Sequence, residues 1–381
     1  MADETSLQAE IFSRIAEVGQ EAWDDRAESG NPFISYAFLS ALEESGSVGA
    51  GTGWLPRHLG LRAEGGALLA VAPCYVKSHS YGEYVFDHGW ANAFERAGGR
   101  YYPKLQIASP FSPVPGPRLL GHGARVADMA LALEKICEAG GCSSAHVTFC
   151  TEAEWAGLGQ AGWLQRLGMQ FHWENPGYES FEDFLGALSS RKRKAIRRER
   201  REAQAGLTFR ALSGAELTAS VWKRFYEFYL STVERKWGGA YLTPEFFPLL
   251  GRRLGEKVVL MLAERNGRPI AGALNLLGDG VLYGRNWGST EDVPFLHFEL
   301  CYYQAIDYAI AHGLRRVEAG AQGEHKIQRG YLPKPTFSAH HIAHPGLRAA
   351  VARFLEVERE DISRTMEALA KEGPYKRDEE T

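Results

Sequence analysis

The sequence predicts an α/β (α+β) chain built as two domains, and three observations carry that prediction. Helical and strand periodicities alternate along the whole chain instead of segregating into blocks. Its 381 residues exceed what a single hydrophobic core ordinarily organises. A short segment also recurs. Gly65-Gly66-Ala-Leu-Leu-Ala70-Val-Ala72 lines up with Asn266-Gly267-Arg-Pro-Ile-Ala271-Gly-Ala273, and each copy is followed by an aromatic stretch, Tyr84 to Trp90 and Tyr283 to Gly288. Matching order of elements around both copies reads as a duplication.

Taken in order, the periodicity predicts a first helix over 7–23, a turn at Asn31-Pro32, and a helix over 36–45. Strands follow at 58–62, 67–77 and 83–87. After a proline-rich stretch come a helix over 123–139, a strand at 145–150 and another at 169–173. Ser180-Phe-Glu-Asp183 has capping-box spacing and opens the helix that carries the basic run Arg191 to Arg201. Ser213 and Glu216 repeat that signal before an aromatic helix reaching 236, and Thr243-Pro244 opens another. Strands at 258–263, 269–276 and 281–286 are joined by Asn266-Gly267 and Gly278-Asp279-Gly280, both hairpin signals. A helix over 294–312 ends at Gly313, and strands at 316–320 and 336–342 close the pattern. The domain boundaries expected from this pattern are 1–175, 176–345, and a C-terminal helix with a polar tail over 346–381.

Composition narrows the function classes. Hydrophobic residues at 45% and charged residues at 24% describe a globular protein, and a net charge of −4 supplies no global field for nucleic acid or membrane. Five cysteines without a CxxC pair fit neither a disulfide framework nor a zinc ribbon. The acidic start lacks an apolar signal region, and no apolar run approaches the roughly 20 residues that span a bilayer. The expectation is a cytoplasmic protein, with peripheral contact to the inner membrane left open.

A long helix, three antiparallel strands, a helix and a splayed strand make the order of the GNAT N-acyltransferase fold. Asn266-Gly-Arg-Pro-Ile-Ala-Gly-Ala-Leu-Asn275 resembles its central hairpin. Tyr283 to Gly288, Phe295 to Leu300, Glu318 to Lys326, Tyr101 to Gln106 and the 191–201 basic run together resemble the FemAB-like branch, in which two GNAT units are fused. The resemblance implies two fused GNAT-like domains with mixed central sheets flanked by helices, the second carrying the main site. It also implies an N-acyltransferase. Members transfer amino acids from aminoacyl-tRNA to cell-wall precursors, and others resemble acyl-CoA-dependent bacterial ceramide synthases. The reading favoured at this point is transfer from a long-chain acyl-CoA, as co-substrate, to a sphingoid amine. Aminoacyl-tRNA-dependent transfer to a cell-wall precursor and a non-catalytic binding protein are the alternatives. No metal and no permanently bound cofactor is expected.

N-acylation needs a deprotonated amine, a polarised carbonyl and a route for protons. Glu318 alternates with Val317 and Ala319 and is expected to face the cleft of a splayed strand. Glu324 and His325 follow two glycines, so His325 is a candidate base or relay, and Lys326 and Arg329 are candidate phosphate contacts. The same cluster also reads as a structural ion-pair turn. His297 lies early in its helix, off the apolar stripe, and either faces the cleft or is solvated. Tyr283, Arg285, Asn286 and Trp287 are expected to line the cleft. The eight cations within 191–201 fit tRNA, anionic lipid or coenzyme A phosphates, or a solvated helix. Trp222, Phe225, Tyr226 and Tyr229 make a helical stripe suited to a core or to the wall of an acyl channel.

Overall fold

The computed structural model describes residues 7–28, 30–121, 125–236, 239–320 and 323–376, with the backbone alone at 234–236. Contacts divide the chain into two units, Met1–Gly168 with Pro335–Ser363, and Met169–Lys334 with Arg364–Thr381.

Unit 1 holds β1 (Gln8–Phe12), β2 (Trp54–Pro56), β3 (His58–Arg62), β4 (Leu68–Ala72), β5 (Cys74–Lys77), β6 (Lys104–Ile107), β7 (Leu120–Gly121) and β8 (Ser144–Cys150). One antiparallel sheet runs β1-β3-β4-β7. In the second, β2 and β6 flank β5 antiparallel, and β6 runs parallel to β8. Helices Val126–Ala139 and Glu152–Gln160 seal it through Met129, Leu133, Cys137 and Leu158 against Leu105 and Val147.

Unit 2 is built on β9 (Leu164–Glu174, its second half), β10 (Thr208–Leu212), β11 (Val258–Arg265), β12 (Arg268–Gly278), β13 (Val281–Ser289) and β14 (Arg316–Glu318). Their order is β10-β11-β12-β13-β14-β9, antiparallel throughout except β13 with β14. The last strand, β15 (Leu332–Ile342), ends in unit 1 antiparallel to β8. Both expected hairpins form, with Asn266-Gly267 and Asp279-Gly280 at positive φ in each pair, the geometry that matches strand twist. Trp222, Phe225 and Tyr229 pack on Phe247 of the helix Phe246–Leu254, so this stripe is core. The helix Ala219–Lys236 also lies hard against β13: a side chain at Gly288 would meet the Phe228 carbonyl at 1.7 Å.

An antiparallel pair followed by a parallel partner thus occurs twice, as β5-β6-β8 and as β12-β13-β14. This is the GNAT-like order, and the fold is a mixed α/β one with helices flanking central sheets.

Several local expectations are corrected. The predicted helix at 7–23 is strand β1 followed by two short helices, Ile15–Val18 and Gln20–Asp24, separated by Gly19 at φ 86°. The strand expected at 67–77 is two strands in different sheets, broken at Pro73, which has no N–H for a ladder. Residues 83–87 form a loop: Tyr84 sits at φ 61°, outside the extended region. Tyr84 to Trp90 therefore leads into the helix His88–Arg96 and is no counterpart of β13; β6 is. The basic run occupies its own helix, Ser190–Ala203, after the Ser180-capped helix Phe181–Ala187 stops. It also has an inward face, made by Ile196 and Ala203, which are buried. Among the described residues no helix is long and apolar enough to cross a membrane.

Candidate functional site

The site is set by what happens at the end of a short parallel pairing. β13 and β14 are joined only from Val281 to Tyr283 against Arg316 to Glu318. Beyond that, β13 continues to Ser289, and among the described residues its β14-side edge has no strand partner. On its other edge the register slips between Leu274 and Asn275: Asn275 faces Gly284 and Leu274 faces Asn286, leaving Arg285 as the extra residue of a bulge. A bulge takes one peptide group out of the ladder. Asn275, buried, ties the opposite strand by donating from Nδ2 to the carbonyls of Val259 and Ala273 at 3.3 and 3.1 Å.

The helical segment that follows crosses this splayed edge. It starts at Leu296 behind Phe295, which is at φ 60°, and includes one π-helical stretch, Glu299–Tyr303. Wider turns of this kind shift side chains off the regular stripe and recur at functional sites. Here the stretch carries Cys301 and Tyr302. A cavity of about 80 Å³ lies in the splay, lined by Gly284, Arg285, Trp287, His297, Cys301 and Tyr302 among others. Trp287 and His297 also border a wider recess of about 490 Å³ with Val293, Phe295 and Phe298.

The half-buried His297 ring lies 4.7 Å from Trp287 and 5.3 Å from Tyr302, centroid to centroid. The Tyr302 hydroxyl is 2.9 Å from Nε2 of His325. Burial pushes Tyr302 well above the usual phenol range, so it stays protonated. An imidazole, a phenol and a second imidazole therefore run from the cavity wall to the exposed His325. His297 can accept a proton beside a carbonyl held at the cavity wall, while it meets Tyr302 only ring to ring and the Tyr302–His325 hydrogen bond stands apart from it.

The other sequence-predicted residues divide between this cleft and its surroundings. Asn286, like Arg285 and Trp287, lines the small cavity. Glu324 is exposed on the short helix Glu324–Arg329. Lys326 is buried, donates to the Gly320 carbonyl at 2.7 Å, and is pushed down to about 7 by burial. Arg329 donates to both Glu199 oxygens at 2.9 Å and to the His325 carbonyl at 2.7 Å, with its guanidinium 3.5 Å above the Phe298 ring. It thus fixes the backbone under His325. Ala319, not Glu318, lines the cavity, because alternation sends Glu318 to the opposite face.

On that face Glu318 stands beside Tyr283 and His172 in register. Burial raises its carboxyl to about 7, with Arg316 at 3.4 Å opposing the shift, and burial lowers the His172 imidazole to about 3. His172 Nε2 is 3.8 Å from Glu318 Oε2, too long for a hydrogen bond. Sequence reasoning missed Tyr302, Cys301 and His172. Cys301 and Tyr302 left a signal only as members of the apolar helical stripe that contains Phe298.

The basic helix belongs to the same unit. Arg200 turns inward to Glu299 and Asp307, at 3.1 and 2.5 Å, and stacks on Phe181. Arg197 pairs with Glu182 at 2.5 Å, whereas Arg191, Lys194 and Arg201 are exposed without an ion pair among the described residues.

A family model described as FemAB-like, peptidoglycan biosynthesis/recognition, matches residues 14–377. No curated protein sequence matches the chain. Solved structures share the fold. FemX is 12% identical over 91% of this chain and 100% of its own, with a TM-score of 0.55. The C-terminal domain of a putative lysylphosphatidylglycerol synthetase from Agrobacterium fabrum is 10% identical over 90% and 96%, with a TM-score of 0.54. L-PGS from Bacillus licheniformis is 10% identical over 86% and 98%, with a TM-score of 0.51.

Proposed function

Because this chain belongs to the FemAB-like family and is an acyltransferase of that type, we propose that it moves an aminoacyl group from the ester of an aminoacyl-tRNA to an amine on a cell-wall or lipid precursor. The observation that carries this reading is the splayed, bulged edge of β13 with His297 and Tyr302 at its wall. The amine nitrogen attacks the ester carbonyl. The oxyanion forms against the splayed β13 edge, and His297 takes a proton from the attacking amine and returns it to the ribose oxygen as the C–O bond breaks. Tyr302 packs on the His297 ring and, hydrogen-bonded to His325, holds it at the cavity wall. The exposed cations of Ser190–Ala203 supply contacts for the RNA backbone. The family description and the name of the lysylphosphatidylglycerol synthetase domain support an acceptor of the cell-wall or lipid class.

A second reading keeps the same chemistry with an acyl-CoA thioester and a sphingoid amine. It is favoured by the apolar wall of the wider recess, where Val293, Phe295, Leu296 and Phe298 suit a hydrocarbon chain. Incubation of the protein with labelled aminoacyl-tRNA and, separately, with palmitoyl-CoA, each with an amine acceptor, decides between them by mass spectrometry of the amide. Transfer from aminoacyl-tRNA alone is expected. Transfer from palmitoyl-CoA alone overturns the first reading, and transfer from neither donor overturns both.

A further inference from the structure

We propose that Asn275 is a catalytic residue: its Oδ1 holds the attacking amine, in its neutral form, in the small cavity of unit 2 beside His297. The proposal deepens the transfer reading above and rests on it for the amine being the nucleophile.

Asn275 is 1% exposed and lies on β12, paired with Gly284 at the edge of the β13 bulge. Its Nδ2 donates to two backbone carbonyls, Val259 at 3.3 Å and Ala273 at 3.1 Å. Those two bonds use both N–H groups and settle which end of the amide is which. The other end, Oδ1, accepts no hydrogen bond among the described residues, although Asn275 is part of the cavity wall. Buried acceptors are nearly always paired, so one left over in a cavity wall marks a place for a donor group on a ligand.

The space in front of that oxygen is kept open by Gly284. A Cβ added there would stand 3.5 Å from Oδ1 and 3.4 Å from the Glu318 carbonyl oxygen, so both oxygens border the space over the glycine. The cavity measures about 80 Å³, against roughly 30 Å³ for one water, so it takes a nitrogen with little more than the carbon attached to it.

Charge selects the form of that nitrogen. The described lining contains no Asp or Glu, and Arg285 is its charged residue. An ammonium would stand beside a cation with no counter-ion, and that environment favours the neutral amine. A neutral primary amine has two N–H groups and one lone pair. With one N–H given to Asn275 and the other facing His297, the lone pair is left for the ester carbonyl. As the N–C bond forms, His297 takes the second proton while Asn275 keeps its hold on the first. Trp287 and His297 border both this cavity and the wider recess, so an amine in the first and an acyl group in the second meet at the imidazole.

Saturation-transfer NMR with methoxyamine at neutral pH tests this without any acyl donor, so its failure is separate from failure of the transfer assay. Methoxyamine is a small primary amine that stays uncharged at neutral pH, and methylammonium is its cationic comparison. The expected result is transfer to the methoxyamine methyl protons, with methylammonium bound at least about tenfold more weakly. In Gly284→Ala the new methyl group covers Oδ1, and methoxyamine affinity should fall at least about tenfold. That variant is expected to fold, because its Cβ meets nothing closer than 3.4 Å and its backbone lies outside the left-handed region. Asn275→Asp should reverse the preference, since a carboxylate at this wall favours the cation. Melting curves confirm folding, and Gly284→Ala decides alone if Asn275→Asp is unfolded. Absence of transfer to methoxyamine with the wild type overturns the proposal. So does a wild-type preference for methylammonium, unchanged methoxyamine binding in Gly284→Ala, or an unchanged preference in folded Asn275→Asp.

Discussion

Replacing Arg329 by Met should destabilise unit 2 by about 3 kcal/mol, and the structure says where that figure comes from. The guanidinium makes a two-oxygen contact with Glu199 at 2.9 Å, and both groups are largely removed from water, with side chains 8% and 13% exposed. Breaking a buried pair on one side typically costs about 3–5 kcal/mol, because the remaining charge keeps its desolvation penalty. Residual solvation of Glu199 and its hydrogen bond from Tyr303 at 2.5 Å place the loss at the lower end. The Phe298 contact, worth about 0.5–1 kcal/mol, lies within that figure. For a domain of roughly 150–250 residues each kcal/mol moves the melting temperature by about 2–4 °C, so a fall of about 6–12 °C is expected. The assay is a double-mutant cycle by thermal denaturation with Glu199→Gln, whose combination with Arg329→Met should recover at least about half of the loss. A single-variant loss below about 0.5 kcal/mol, or strictly additive losses, would refute the reasoning. The same cycle bears on function, since Arg329 also holds the His325 carbonyl.

Three further outcomes follow from the geometry. His297→Gln should lower the rate of acyl transfer by about 10²–10⁴-fold with an unchanged melting temperature; a variant that turns over at wild-type rate removes His297 from the proton route. Burial holds the Glu318 carboxyl near 7, against ~4.3 in an unfolded chain, so folding takes up a proton between those values and the native state is penalised above about pH 7. Glu318→Gln should therefore melt higher than the wild type at pH 8, with more than half of that gain gone at pH 5, and a pH-independent difference would contradict the assignment. Neutralising Arg191, Lys194 and Arg201 together should weaken tRNA binding and flatten its salt dependence by about two to three logarithmic units of slope. An unchanged slope would show that the RNA lies elsewhere.

The parts of this fold that local chemistry specifies were legible in the sequence. Asn266-Gly267 and Asp279-Gly280 adopt positive φ as two-residue turns demand, and they place β11, β12 and β13 near their expected bounds. Gly313 ends its helix at φ 62° for the same reason. What was not legible depends on distant partners. Lys104 to Ile107 is a strand only because β5 and β8 flank it, and Gln8 to Phe12 only because β3 does. Glu318 meets His172 through a pairing that no local pattern announces, and the bulge at Arg285 is a property of two strands, not one. At the site, Arg285, Asn286, Trp287 and His297, each a sequence candidate, line one small cavity. The role of Tyr302 depends on the π-helical stretch, which the apolar periodicity of 294–312 conceals.

The acyl donor is placed on the splayed edge of β13. Hydrogen–deuterium exchange with a non-hydrolysable 3′-aminoacyl-amide analogue of a tRNA acceptor stem measures it directly. Slowed exchange is expected at residues 284–289 and 296–303, together with the 190–203 helix. Protection confined to unit 1, or to the 190–203 helix with no change along β13, would contradict it.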